Sequence, residues 1–140
     1  EGFLVQPMIR GRRGIIVGGL RDKQFGPCVM LGLGSIFVEA IGDVAFRLAP
    51  LDARDASEMM CELKGRRIFE AFRGEPPVKE PALRDILIAT GRLLIENPAV
   101  HEVDINPLVL EGAEPVAVDA LITLVAAAHE SANEGGKRQA

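Results

Sequence analysis

The sequence of 140 residues contains no Trp and no Tyr, and aromatics make up only 4% of it, so its core has to be aliphatic. Two cysteines, Cys28 and Cys61, are too few for a disulfide framework and form no CxxC pair. They read as two buried thiols in a reducing, cytoplasmic compartment. Positive charge is not in excess: 16 Lys and Arg stand against 20 Asp and Glu, a net charge of −4. That balance argues against a nucleic-acid partner held by bulk electrostatics. No apolar run approaches the ~20 residues a membrane span needs. The longest, residues 120–128, is broken by Thr123, and no signal peptide opens the chain, so no membrane partner is expected. An initiator Met is missing too. The chain starts Glu1-Gly2-Phe3 and enters an apolar run at once, which reads as a piece of a longer protein.

What is present is ordinary globular composition, 48% hydrophobic and 26% charged, at a length suited to one domain. The first half reads as short strands between Gly-containing turns. Residues 3–9, 15–17, 28–31, 36–38 and 44–48 are apolar runs, with turns expected at Gly18-Gly19, residues 21–27 and Gly42-Asp43. The period then changes. Ala53, Ala56, Met59, Met60 and Leu63 form a helical stripe within residues 51–65, and a short second helix is expected over 67–72. After Glu75-Pro76-Pro77, residues 81–97 carry Leu83, Ile86, Leu87, Thr90 and Leu94 on one face, with Pro81 in the first turn. Strands return over 100–110 and 115–125. This order predicts an α+β fold, a largely antiparallel sheet with helices packed on one face, over residues 1–129; residues 130–140 read as a polar, flexible tail.

The last hairpin, HEVDINPLVLEGAEPVAVDALI (residues 101–122), holds the candidate chemistry. Gly112-Ala113 suits a two-residue type II′ turn, which sets Asn106 opposite Asp119, Asp104 opposite Leu121 and Leu108 opposite Ala117. Alternation assigns Val103, Ile105, Pro107, Val109, Val116, Val118, Ala120 and Ile122 to the core face. The other face then gathers Asp104, Asn106 and Asp119 at one end. Three oxygen donors without His or Cys suit a hard cation such as Mg²⁺. A solvated hairpin face is the alternative, and a Pro inside a good strand weighs against it.

The strings RDKQFGP, GLGSIFVE, DVAFRLAPL, FRGEPPV and DINPL…AVDA, in this order, resemble the carboxyl-terminal part of the ATP-grasp region of NDP-forming acyl-CoA synthetases. These are the ADP-forming acetate–CoA ligases, relatives of succinyl-CoA synthetase β chains. The resemblance spans nearly the whole chain. It implies an ATP-grasp carboxyl-terminal lobe that takes Mg²⁺ and ATP or ADP between two α+β lobes. Asn106 and Asp119 then match the metal ligands, with Asp104 as a third candidate. The inter-lobe hinge, whose backbone meets adenine, matches Val5, Gln6, Pro7 and Met8. Gly32 and Gly34 match glycines near the phosphoryl-transfer region, where a tightly turned strand end is the alternative. Glu39 is the catalytic candidate, orienting an incoming histidine or else facing solvent. Arg73-Gly74 matches a recurrent pair to which the resemblance assigns no chemical role. His101 and His129 match no catalytic histidine. Arg10, Arg12 and Arg13 form a basic cluster that reads as a solvated turn or, alternatively, a phosphate contact.

The implied reaction of the parent is acyl-CoA + ADP + phosphate ⇌ carboxylate + CoA + ATP, through acyl phosphate and phosphohistidine. Its partners are the nucleotide, an amino-terminal ATP-grasp lobe, and CoA-binding and phosphohistidine domains on the same or another chain; a homo-oligomeric parent is compatible with this. The piece alone is expected to be inactive. Two departures stand out: Gly14 replaces an acidic residue expected near the ribose, and Ser35 replaces a Gly. They keep open a second reading, a degenerate, non-catalytic synthetase domain regulating a fused protein-lysine acetyltransferase.

Overall fold

The computed structural model describes residues 2, 3, 5–34 and 42–125. Strands β1 (Arg13–Asp22) and β2 (Gly26–Leu33) form a long antiparallel hairpin, and β3 (Val44–Leu48) pairs with β2. Helix α1 (Ala53–Glu62), a 3₁₀ turn (Arg66–Phe69) and helix α2 (Glu80–Glu96) follow, then β4 (Val100–Glu111), β5 (Glu114–Ala117) and β6 (Ala120–Leu124). The sheet runs β3-β2-β1-β4-β5, with β6 on the other half of β4. Every pairing is antiparallel and helix α2 packs across β1, β2 and β4, the α+β arrangement expected.

Local chemistry explains the helices. Asp52 accepts the N–H groups of Arg54 and Asp55, and Asp55 returns a bond to the Asp52 N–H, a reciprocal cap at the start of α1. Ala56, Met59 and Met60 bury one side of that helix. Pro81 enters the first turn of α2, which buries Leu83, Leu87, Thr90, Gly91 and Leu94. The core is indeed aliphatic: Ile15, Val17, Val29, Leu31, Leu63, Leu83, Leu87, Leu108 and Leu110 are all fully buried, with Phe69 at its edge.

Several expectations change. Residues 5–12 form no strand, because among the described residues no other backbone bonds theirs, and the Arg10 N–H goes to the Glu111 carboxylate; Phe3, Val5 and Met8 stand exposed. Gly18 and Gly19 are not a turn but lie inside β1, where α2 comes close: a Cβ on Gly19 would sit 2.9 Å from Thr90 Cγ2 and 3.0 Å from Leu94 Cδ1. The helix expected over 67–72 is only the 3₁₀ turn. To continue it, the Ile68 carbonyl would have to accept the Phe72 N–H, but that carbonyl accepts from Arg13 and the N–H bonds Glu75. Residues 36–38, expected as a strand, lie outside the described residues.

The largest correction concerns the last hairpin. Its turn and register stand as expected, with φ of +61° at Gly112 and Leu108 opposite Ala117. The faces do not. Against β1, Ile105 pairs with Val17 but Leu108 pairs with Ile15, so Asn106 and Pro107 together oppose Ile16 alone. Proline has no N–H for the ladder, and the strand bulges there. One extra residue inverts the alternation. Val103 is core before the bulge, whereas Leu108 and Leu110, at 0% exposure, are core after it. Pro107, Val109, Val116 and Val118 therefore leave the core face they were expected to share, and Ala120 and Ile122 are exposed.

Candidate functional site

The helices leave the other face of the sheet open. On it lies a depression of about 320 Å³ lined by Ile16, Met30 and Phe46 on one side and by Glu102, Asp104 and Asn106 on the other. Register puts these residues in rows across the strands. One row runs Phe46, Met30, Gly18, Asp104, Leu121. The next runs Gly32, Ile16, the Asn106-Pro107 bulge and Asp119, whose carbonyl accepts the Asn106 N–H at 3.1 Å. Adjacent strands lie about 4.8 Å apart, so Gly32 and Asn106 are about 10 Å apart across the sheet. The bulge thus keeps Asp104 and Asn106 on the open face while the strand's later leucines turn inward.

Asp119 sits in the break between β5 and β6, exposed, with Oδ1 accepting the Ala120 N–H at 2.9 Å. This bond fixes the carboxylate and leaves its second oxygen without a partner among the described residues. Asp104 and Asn106 are half-buried in the depression. All three offer oxygen, the donor chemistry of a hard cation, and they lie on adjacent positions of one strand pair. No group of three His, Cys, Asp or Glu residues close enough to hold a metal occurs among the described residues. Two carboxylates and one amide are too few for a closed protein cage and would leave the rest of an ion's shell to water and ligand phosphate. The two thiols are not buried as expected: Cys61 is exposed, and Cys28 is half-buried where it lines the depression, with burial, and the charge of Asp22 second, pushing its thiol pKa up.

The other candidates fall as follows. Val5, Gln6, Pro7 and Met8 lie in an exposed segment whose backbone groups take no partner among the described residues. Gly32 is paired on both sides within the sheet; Gly34, with φ of +70°, gives its N–H to the Gly14 carbonyl at 3.1 Å. Neither glycine therefore has the free N–H that a phosphate cradle would use. Gly14 leaves room beside Pro107, whose Cβ would be 3.9 Å from a Cβ at that position. His101 is half-buried on β4. Glu39, Ser35 and His129 lie outside the described residues.

An ATP-grasp domain model matches residues 1–124. The chain belongs to the ATP-grasp family. It is 46% identical over 123 residues to the β subunit of acetate–CoA ligase (ADP-forming) I of Pyrococcus furiosus, covering 88% of this chain and 53% of that one. It is 45% identical over 108 residues to acetate–CoA ligase (ADP-forming) I of Archaeoglobus fulgidus, covering 77% of this chain and 16% of that one. Among solved structures, the apo form of the dinucleotide-forming acetyl-coenzyme A synthetase 1 of Ca. Korarchaeum cryptofilum superposes with a TM-score of 0.80 at 43% identity, over 86% of this chain and 57% of that one. The same synthetase with coenzyme A and Mg-AMPPCP gives 0.76 at 43% identity, over 86% and 55%. The chain thus spans about half the length of the β subunit it matches. Among the described residues, no helix is long and apolar enough to cross a membrane.

Several residues in the family-like strings prove to be architectural. In RDKQFGP, Arg21 donates its guanidinium to the Leu94, Asn97 and Val100 carbonyls, capping the C-terminal end of α2. Asp22 accepts the N–H groups of Gln24 and Phe25, closing the β1–β2 turn. In DVAFRLAPL, buried Asp43 accepts the N–H groups of Lys64 and Gly65, tying the start of β3 to the end of α1. Arg13 departs from both readings of its cluster, while Arg10 and Arg12 are exposed. It is 5% exposed, and its guanidinium donates to the carbonyls of Ile68, Glu70, Pro76 and Gly112. Sequence reasoning missed the two arginines because their partners are carbonyls 55 to 99 positions away.

Proposed function

We propose that this ATP-grasp lobe is the metal-bearing wall of the nucleotide cleft in an ADP-forming acyl-CoA synthetase. The opposite wall and the CoA-binding and phosphohistidine domains would come from sequence beyond these 140 residues. The reaction of the whole protein would be acyl-CoA + ADP + phosphate ⇌ carboxylate + CoA + ATP. One observation carries the reading: a single row across the open face joins Gly32, Ile16, Asn106 and Asp119, with Asp104 one row away beside an apolar depression. Its relatives are named as such ligases, and one was solved with Mg-AMPPCP.

Asn106 and Asp119 would hold Mg²⁺, with Asp104 alongside. The ion's contribution when bound is to neutralise charge on the transferring phosphoryl group. The chain's own part is positioning. The Asp119 carboxylate is held by the Ala120 N–H, and the backbone bond from Asn106 to Asp119 fixes the level at which the two residues meet. Ile16, Met30 and Phe46 supply a dry surface for the flat, apolar part of a nucleotide. The unpartnered backbone of Val5, Gln6 and Met8 is available to a base edge, whereas Pro7 offers only its carbonyl. Gly32 and Gly34 act by size, keeping that end of the face flat. Glu39 stays the candidate for orienting an incoming histidine.

The test is turnover of the full-length protein. Asn106→Ala and Asp119→Ala should each abolish nucleotide-dependent CoA ligation with the fold intact by circular dichroism. Near-normal turnover in both variants would overturn the metal assignment.

A further inference from the structure

The connection between the 3₁₀ turn and α2 contains a small rigid hairpin that the nucleotide face does not use. The Val78 N–H donates to the Phe69 carbonyl at 2.8 Å, and Phe72 and Glu75 exchange both of their backbone bonds, at 3.1 and 2.9 Å. Its tip is Arg73-Gly74, with φ of +48° and +84°. Arg73 is the only non-glycine with positive φ among the described residues. That left-handed backbone carries a cost for any residue with a Cβ, and Gly or Asn would adopt it more easily.

The base of the hairpin is gripped from below. Arg13 holds the Glu70 carbonyl on one arm, the Pro76 carbonyl on the other and the Gly112 carbonyl of the β4–β5 turn. Phe69 and Val78 are sunk in the core. At the tip, the Arg73 guanidinium lies 5.1 Å over the centre of the Phe72 ring, which is itself 52% exposed. No carboxylate pairs with Arg73 among the described residues. The connection itself carries Arg73 and Lys79 exposed, with Glu70 exposed and Glu75 half-buried. It meets the sheet at Gly112, six strand residues from Asn106, about 20 Å along β4.

We infer that the Phe72-Arg73 tip is a binding site for a phosphate monoester, separate from the candidate metal end of the sheet. A planar guanidinium with one face on an aromatic ring keeps its N–H edge free for a forked bond to phosphate oxygens. The strained backbone and the buried Arg13 hold that edge in place before any ligand arrives, which lowers the entropic cost of binding. The ester is carried either by a nucleotide or by a phosphorylated side chain.

The experiment follows the Arg73 Nε–H by NMR while the isotopically labelled chain is titrated with inorganic phosphate, with chloride at equal ionic strength as control. A saturating shift with phosphate and none with chloride is expected. Arg73→Gly relieves the left-handed strain, so its melting temperature holds or rises while phosphate affinity falls by about tenfold or more. Arg73→Lys, which keeps the charge and loses the fork, should also bind more weakly than the wild type. O-phosphoserine and adenosine 5′-monophosphate then separate the sources: tighter binding of the first supports a phosphorylated side chain, of the second a nucleotide. Equal shifts with chloride, an affinity unchanged in Arg73→Gly, or no response at Arg73 to any of the three phosphates would each overturn the site. None of these outcomes depends on the metal assignment at Asn106 and Asp119.

Discussion

Asn106 donates its backbone N–H to the carbonyl of Asp119 at 3.1 Å, at the one level of the hairpin where both strands are irregular. On one side β4 bulges at Asn106-Pro107; on the other, the chain breaks between β5 and β6. A regular ladder would have kept strict alternation and turned Leu108 and Leu110 outward. The coincidence of bulge and break sets two polar residues opposite each other without exposing the leucines that follow.

The inverted alternation is measurable. Leu108→Ala should destabilise the chain by about 2–5 kcal/mol, as removal of a fully buried leucine does. Val109→Ala, half-buried on the other face, should cost less than about 1 kcal/mol. Urea midpoints of the two variants decide it. The reverse order of effects would restore uninterrupted alternation along β4.

Arg13 should matter more to stability than any exposed arginine. Its loss in Arg13→Met strips a partner from four carbonyls at once and should cost about 3 kcal/mol. Arg13→Lys should recover only part of this, since a single ammonium cannot span all four. Arg12→Met, an exposed position, serves as the control and should leave the melting temperature nearly unchanged.

Gly19 lies under α2 without room for a side chain. Gly19→Val pushes against Thr90 and Leu94 and should destabilise by about 1–3 kcal/mol. Thr90→Ala in the same chain removes one of the two obstacles and should recover part of the loss. Thermal melts of the single and double variants give the coupling; strict additivity would mean that the helix does not rest on Gly19.

Acid should weaken the fold. Backbone N–H donors, Phe25 foremost for Asp22 and Asp55 for Asp52, hold both carboxyls below their ordinary value of 3.8. Hydrogen bonding from Arg54 to Glu58 and from Arg47 to Glu62 lowers those two below 4.5. In each case the folded value is below the unfolded one. The stabilisation is therefore complete above the ordinary carboxylate range and is lost as pH falls through the depressed values. Melting temperatures should be level down to about pH 5 and fall below about pH 4. A melting temperature that rises on acidification would overturn this.

Much of the molecule was legible in the residues. The stripe of Ala56, Met59, Met60 and Leu63, the Pro81 start of α2 and the Gly112 turn are encoded within a few positions of each other, because helix periodicity and turn chemistry are local. The pairing of Asn106 with Asp119 follows from that turn by counting. The family strings were legible too, but not the work their residues do. Arg21 caps a helix 73 positions away and Arg13 grips carbonyls up to 99 positions away, and a carbonyl leaves no mark in the sequence. Which face Leu108 joins was likewise undecidable from alternation, since a bulge depends on how β4 meets β1. The sequence by itself determined the elements, the turn and the pairing across it. Only the tertiary structure decided which side chains face the open sheet and which arginines are structural, because both depend on contacts between segments that meet only after the chain has folded.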